Sequence, residues 1–228
     1  MNYGTNLTTN FKITIFCFFI ALSFIVNASE VNTPKFDEIH NTKIRKETFF
    51  NYFAPLAQKI NTEISSERSK IISIFNQNKL STKDILWLNQ ISKKYKTSFN
   101  EKNIEDSKVN LLSRIDIIPV SLLMVQAANE SAWGTSRFAK EGNNFFGEWC
   151  FTQKCGLVPK KRNKGATHEV KKFKTAEDSV RSYIHNLNTH SAYDSFRTLR
   201  LTQRQFIIFK SILLITLKKV MALYTVWD

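Results

Sequence analysis

The stretch Val120-Ser121-Leu122-Leu123-Met124-Val125-Gln126-Ala127-Ala128-Asn129-Glu130-Ser131-Ala132-Trp133-Gly134 decides how this chain is read. Pro119 suits the first turn of a helix, and Gly134 offers a place to end it. Leu123, Ala127 and Glu130 stand at i, i+4 and i+7, so the spacing sets a carboxyl on an apolar stripe. A carboxyl held partly out of water resists ionisation, and one that keeps its proton near neutral pH can act as a general acid. The same spacing also fits an acid near a helix C-terminus that reaches solvent or pairs with Arg137. The neighbouring sequence bears on the choice.

Downstream, residues 136–140 read as a short helical stretch with Gly142 as its left-handed cap. Asn143-Asn144-Phe145-Phe146-Gly147 reads as a turn. Residues 149–158 and 167–173 read as short strands joined by the basic turn Lys160-Lys161-Arg162-Asn163-Lys164-Gly165. Upstream, Phe49, Phe53, Leu56 and Ile60 fall at helical spacing, with Pro55 expected to kink or restart the helix. Ser81-Thr82-Lys83-Asp84 and Thr175-Ala176-Glu177-Asp178 both resemble capping boxes. The pattern is α+β and mostly α, with one β-hairpin inserted between helices and a candidate acid just before it. That is the arrangement of a lysozyme-like helical domain, in which a cleft runs between a helical lobe and a small β lobe.

Composition narrows the class. The 228 residues are 43% hydrophobic, with only six Gly and four Pro, which supports a real core and argues against a disordered or loop-rich chain. A formal charge of +14, from 33 Lys and Arg against 19 Asp and Glu, favours an anionic partner. The cations are scattered and form no dense stripe with interleaved aromatics, so no nucleic acid partner is expected. Residues 1–28 read as a secretory signal peptide: Lys12, an apolar run from Ile13 to Val26, then Val26-Asn27-Ala28 at the cleavage site. A periplasmic or secreted location follows, with membrane attachment only if that segment stays uncleaved. Cleavage removes Cys17 and leaves Cys150 and Cys155, which in an exported protein read as a disulfide; a zinc half-site with His168 is the competing reading.

Gln126-Ala127-Ala128-Asn129-Glu130-Ser131-Ala132-Trp133-Gly134-Thr135-Ser136-Arg137-Phe138-Ala139 resembles the glucosaminidase signature of glycoside hydrolase family 73. Within it the chain looks most like the Bax-type members, through Asn144-Phe145-Phe146-Gly147-Glu148-Trp149-Cys150-Phe151 and Cys155-Gly156-Leu157-Val158-Pro159. His168-Glu169-Val170, Tyr183, Asn186-Leu187-Asn188 and Ala192-Tyr193 continue the resemblance. It implies cleavage of β-1,4 bonds after N-acetylglucosamine in peptidoglycan, by a monomer, with no cofactor and no metal. Glu130 matches the family's acid. Glu169, 39 residues further on and in a strand expected to face the cleft, is the best match for a second carboxylate. An exposed strand acid paired with Lys171 or Lys172 fits Glu169 equally, and Glu148 is a third option, although Bax relatives carry Gln there. Phe145, Trp149 and Tyr193 are the expected sugar-stacking residues, while Phe146 and Tyr183 are expected in the core.

The organisation expected is a signal peptide over 1–28, an N-terminal helical region over 29–108, a glucosaminidase domain over 109–200 and an atypical tail over 201–228. Where the resemblance calls for a charged helix and a Tyr-Ser-Xaa-Xaa-Gly segment, residues 206–227 are strongly apolar and resemble an out-of-frame continuation. The alternative to a wall hydrolase is therefore a wall-binding or scaffolding protein of the same fold with impaired chemistry. A membrane-associated helical protein held by residues 13–26 is a third reading.

Overall fold

The computed structural model describes residues 32–204, so the signal-peptide and apolar-tail expectations lie outside the described residues. The longest element is α1, Thr42–Phe75, whose start is capped by the Asn41 side chain accepting from the amides of Lys43 and Ile44. Phe49, Phe53, Ala57, Ile60, Ile64, Ile71 and Ile74 recur every three, four or seven residues and form its buried face. Pro55 does not restart the helix as expected; one helix runs through it. Removing one backbone donor costs less than exposing this face, which packs against α3 (Ile104–Arg114), α4 (Val120–Ser131) and α6 (Ala176–Thr189).

The helices before residue 109 and those after it share one hydrophobic core. Asn61, buried in α1, makes two hydrogen bonds to the backbone of Ile118: its amide donates to the carbonyl at 2.7 Å, and its oxygen accepts from the N–H at 3.0 Å. That pair fixes the chain as it enters α4. Nearby, Asp116 is 1% exposed and meets Arg68 of α1, Arg200 and Arg204. Arg200 and Arg204 lie on α7, which spans 194–204 within the described residues, so the chain is held to this hub four residues beyond the expected domain end. Both sequence-read capping boxes are formed, at the starts of α2 (Thr82–Lys94) and α6.

The β region is small and differs from a plain hairpin. Residues 149–158 do not form one strand; the loop closed by the Cys150–Cys155 disulfide splits them into β1 (Trp149–Cys150) and β2 (Gly156–Leu157). Both pair antiparallel with β3 (Glu169–Lys171), giving the order β1-β3-β2. Trp149 lies opposite Val170, and Gly156 opposite Lys171. The chain remains α+β and mostly α. No helix among the described residues is long and apolar enough to cross a membrane.

Candidate active site

Helix α4 ends at Ser131, three residues before Gly134, and Ala132 takes the left-handed conformation as its cap. Ala132, Trp133 and Gly134 all have positive φ, so the chain reverses tightly just after Glu130. The buried Ser131 hydroxyl donates to the Ala127 carbonyl at 2.6 Å and accepts from the Gly134 amide at 2.8 Å. Gly134 is required here: a Cβ would come within 2.3 Å of the Phe36 ring. These contacts fix the end of the helix that carries Glu130.

Glu130 itself is exposed, the second of the two arrangements that its spacing allows. The buried face of α4 is Leu123, Met124, Ala127, Ala128 and Ser131. At about 100° per residue the centre of that set lies roughly 90° round from Glu130. The carboxylate therefore stands on the rim of the apolar stripe, facing outward.

A turn over residues 143–148 faces Glu130. Asn143, not Gly142, provides the left-handed cap of α5 (Arg137–Gly142). The next residue, Asn144, is buried and supports the whole turn: its amide donates to the carbonyls of Glu148 and Lys171 at 2.9 and 2.8 Å. Its oxygen accepts from the amides of Phe146 and Glu148. The turn thereby brings Gly147, at φ +66°, against the acid; a Cβ there would stand 3.3 Å from Glu130 Oε2. Glycine meets both demands, the left-handed backbone and the close approach.

Tyr183, read from the sequence as a core residue, belongs partly to this site. Its ring stacks on Phe146 with centroids 4.2 Å apart and planes 9° from parallel. Burial first, then the neighbouring Tyr193, Glu130 and Glu148, pushes its phenol up to about 12. Tyr183 thus feels the charges of Glu130 and Glu148 as well as its neighbour Tyr193. The sequence offered a signal for Tyr183 in its spacing from Val180, Ile184 and Leu187, but that spacing marks packing and not a cleft.

Glu148 is half-buried. Its Oε2 accepts from the Ser182 hydroxyl at 2.8 Å, while Oε1 is sealed from solvent without a hydrogen-bond partner. Burial raises its carboxyl above the ordinary range, opposed by the Ser182 hydrogen bond and the Lys171 charge. Lys171 also donates to the Ser182 hydroxyl, at 3.1 Å.

The other sequence candidates divide. Phe145 is not a sugar platform: it is 1% exposed and packs among Phe36, Phe49 and Phe53, with the Phe53 ring 4.6 Å away. Trp149 is 58% exposed and stacked on His168 at 4.1 Å. Tyr193 is half-buried beside Tyr183. Glu169 is 8% exposed, and its carboxylate does not point into open solvent at the cleft. Its oxygens accept from the amides of Lys154 at 3.1 Å and Gly156 at 2.8 Å. Those N–H groups hold the carboxyl below its ordinary range and make it the anchor of the disulfide loop. Cys150, Cys155 and Glu169 form the one cluster among the described residues close enough for a metal ion, but the sulfurs are bonded to each other. That leaves a single carboxylate donor, too few for a zinc site.

A family model described as mannosyl-glycoprotein endo-beta-N-acetylglucosaminidase matches residues 105–211. Protein bax of Escherichia coli (strain K12) is 36% identical over 161 residues, covering 71% of this chain and 57% of that protein. This chain thus spans a little over half of that relative's length. No solved structure matches the chain. The matched region takes in α4 with Glu130, the Asn144 turn, the small sheet and α6 with Tyr183, and on that basis the chain is a Bax-type, glucosaminidase-like protein.

Proposed function

We propose that this protein is an exported peptidoglycan hydrolase that cleaves β-1,4 glycosidic bonds after N-acetylglucosamine, with Glu130 as the general acid. The observation that carries the reading is the approach of Gly147 to Glu130, which leaves one exposed carboxylate at the meeting of α4 and the β lobe. A glycosidic oxygen leaves poorly until it is protonated, and Glu130 is the acid open to a polymer at this point. As the proton passes to the leaving oxygen and the C–O bond breaks, positive charge grows at the anomeric carbon. The acetamido oxygen of the same sugar can meet that charge, and water then completes hydrolysis. Water exclusion around Glu130 falls to the bound sugar, because the free protein leaves the carboxylate open. Tyr183, which feels the charge of Glu130, and its neighbour Tyr193 carry hydroxyls that can donate hydrogen bonds to a sugar.

A second reading rests on Glu169. With its carboxylate committed to the loop amides, Glu169 is not free to assist Glu130, which supports a glycan-binding protein of impaired chemistry. One experiment separates the two. Purified peptidoglycan is digested with the wild type and with Glu130→Gln, and released reducing ends are measured. The hydrolase reading expects wild-type release and a loss of about 10²–10⁴-fold in the variant, with polymer pelleting retained. Equal release by both proteins sinks Glu130 as the acid. Pelleting without release by either supports the impaired reading.

A further inference from the structure

The chain's positive charge is not spread as evenly as its sequence suggests. Residues 149–174 contain eight Lys or Arg and one acid, Glu169. That acid is buried and bonded to backbone amides, with Arg162 the one cation acting on it, so the segment keeps a large positive excess. Every ion pair among the described residues lies outside this segment. Lys154, Lys160, Lys161, Lys164, Lys172 and Lys174 are exposed. Such like charges repel one another, so an unneutralised cluster weakens the lobe that carries it.

Exposed apolar surface accompanies the cations. Phe151, at 72%, is the most exposed of the large hydrophobic side chains, and Trp149 and Val158 stand near it in sequence at 58% and 49%. Phe151 and Lys154 both belong to the loop closed by the Cys150–Cys155 disulfide. The cross-link and the Glu169 anchor together hold this loop, so an aromatic ring and a cation are displayed from a backbone already ordered. Little further ordering is needed when a partner arrives.

We propose that the β lobe is a binding surface for glycan strands that carry carboxylates, gripping the charged substituents with its lysines while Trp149 and Phe151 meet apolar sugar faces. This rests on the glycan reading of the Glu130 site and deepens it: the lobe selects charged, peptide-bearing strands over bare ones. Continuity favours a strand over other polyanions. Trp149 follows two residues after Gly147, where a Cβ would stand 3.3 Å from Glu130 Oε2, so a polymer lying along the lobe leads toward the acid. Flexible exposed charges add modestly one by one, and their joint effect on a polyanion is screened by salt.

Binding can be measured without catalysis, so this proposal fails separately from the hydrolase reading. The full chain, carrying Glu130→Gln to prevent digestion, is pelleted with insoluble peptidoglycan, before and after its carboxylates are amidated by carbodiimide coupling. Binding is expected to fall on the order of tenfold on amidation, and to weaken as salt rises. Combining Lys160→Glu, Lys161→Glu and Lys164→Glu, with the thermal melt checked for an intact fold, gives a similar loss on native polymer and none on the amidated one. Equal binding to both polymers overturns the proposal. So does a charge-reversed protein that pellets like its parent, or tighter salt-sensitive binding to anionic phospholipid vesicles or to DNA than to peptidoglycan.

Discussion

Across α1 and α6, Lys59, Glu177, Arg181 and Glu63 neutralise one another, and at the base of α4 three arginines surround Asp116. The β lobe leaves its eight cations without an ion pair. The two regions differ in cohesion as well. The helical body rests on a continuous apolar core from Phe36 to Leu187. The lobe has two- and three-residue strands and depends on discrete polar and covalent ties: Asn144, the Glu169–amide pair, the disulfide and the Glu148–Ser182 hydrogen bond. A body built on packing tolerates the loss of one polar contact, whereas a lobe held by a few contacts changes shape when one is lost. The turn of the candidate site lies where the two constructions meet, with Phe145 in the core and Gly147 toward Glu130.

The largest expected effect tests the body. Phe53 is fully buried and its ring lies 4.6 Å from those of both Phe49 and Phe145. Phe53→Ala should cost about 3–5 kcal/mol, seen as one cooperative shift in chemical denaturation that takes the lobe with it. A mild, local effect would show that the aromatic cluster is not the foundation of the core. Next in size is Asn144→Ala, which removes four hydrogen bonds from the turn. It should cost about 2–3 kcal/mol, and amide exchange should quicken at Phe146, Glu148 and β3 before it does in α1. Uniform loosening of α1 and the turn together would erase the distinction between the two regions.

What the sequence made legible follows the same division. Helical periodicity located α1, α4 and α6, because burial along a helix repeats in a way that residues report directly. Both capping boxes were readable for a similar reason: their partners lie three residues apart. Pairing of Cys150 with Cys155 followed from compartment and count. The sheet order was not legible, since the covalent loop from Cys150 to Cys155 interrupts what looks like one strand. For Glu130 the spacing left burial and exposure equally open, because three residues at helical spacing define a stripe without saying where its centre lies. Tyr183 packs against the core as expected, but Phe145, expected to meet sugar, is buried: an aromatic residue in a turn points wherever the turn sends it. For Glu169, strand alternation gave a face but could not show that loop amides would claim the carboxylate.

The smallest expected effect concerns Glu148, the tie whose strength depends on pH. Burial raises its carboxyl above the ordinary value of 4.5, with the Ser182 hydroxyl and Lys171 acting the other way, and its charge also reaches Tyr183. Below its unfolded pKa of about 4.3–4.5 the group carries its proton in both the folded and the unfolded chain, and folding bears no penalty. As pH rises through that value the unfolded chain releases its proton while the folded protein retains it. Stability therefore falls, and the fall ends once pH passes the raised folded value. Glu148→Gln removes the titration. Any fixed cost of placing an amide beside the sealed Oε1 site is the same at every pH, so it cancels when two pH values are compared. The melting temperature of the variant relative to wild type should thus rise by about 2–4 °C between pH 4 and pH 7. A difference that stays level would show that Ser182 and Lys171 cancel the effect of burial, and one that favours wild type at pH 7 would show that they outweigh it.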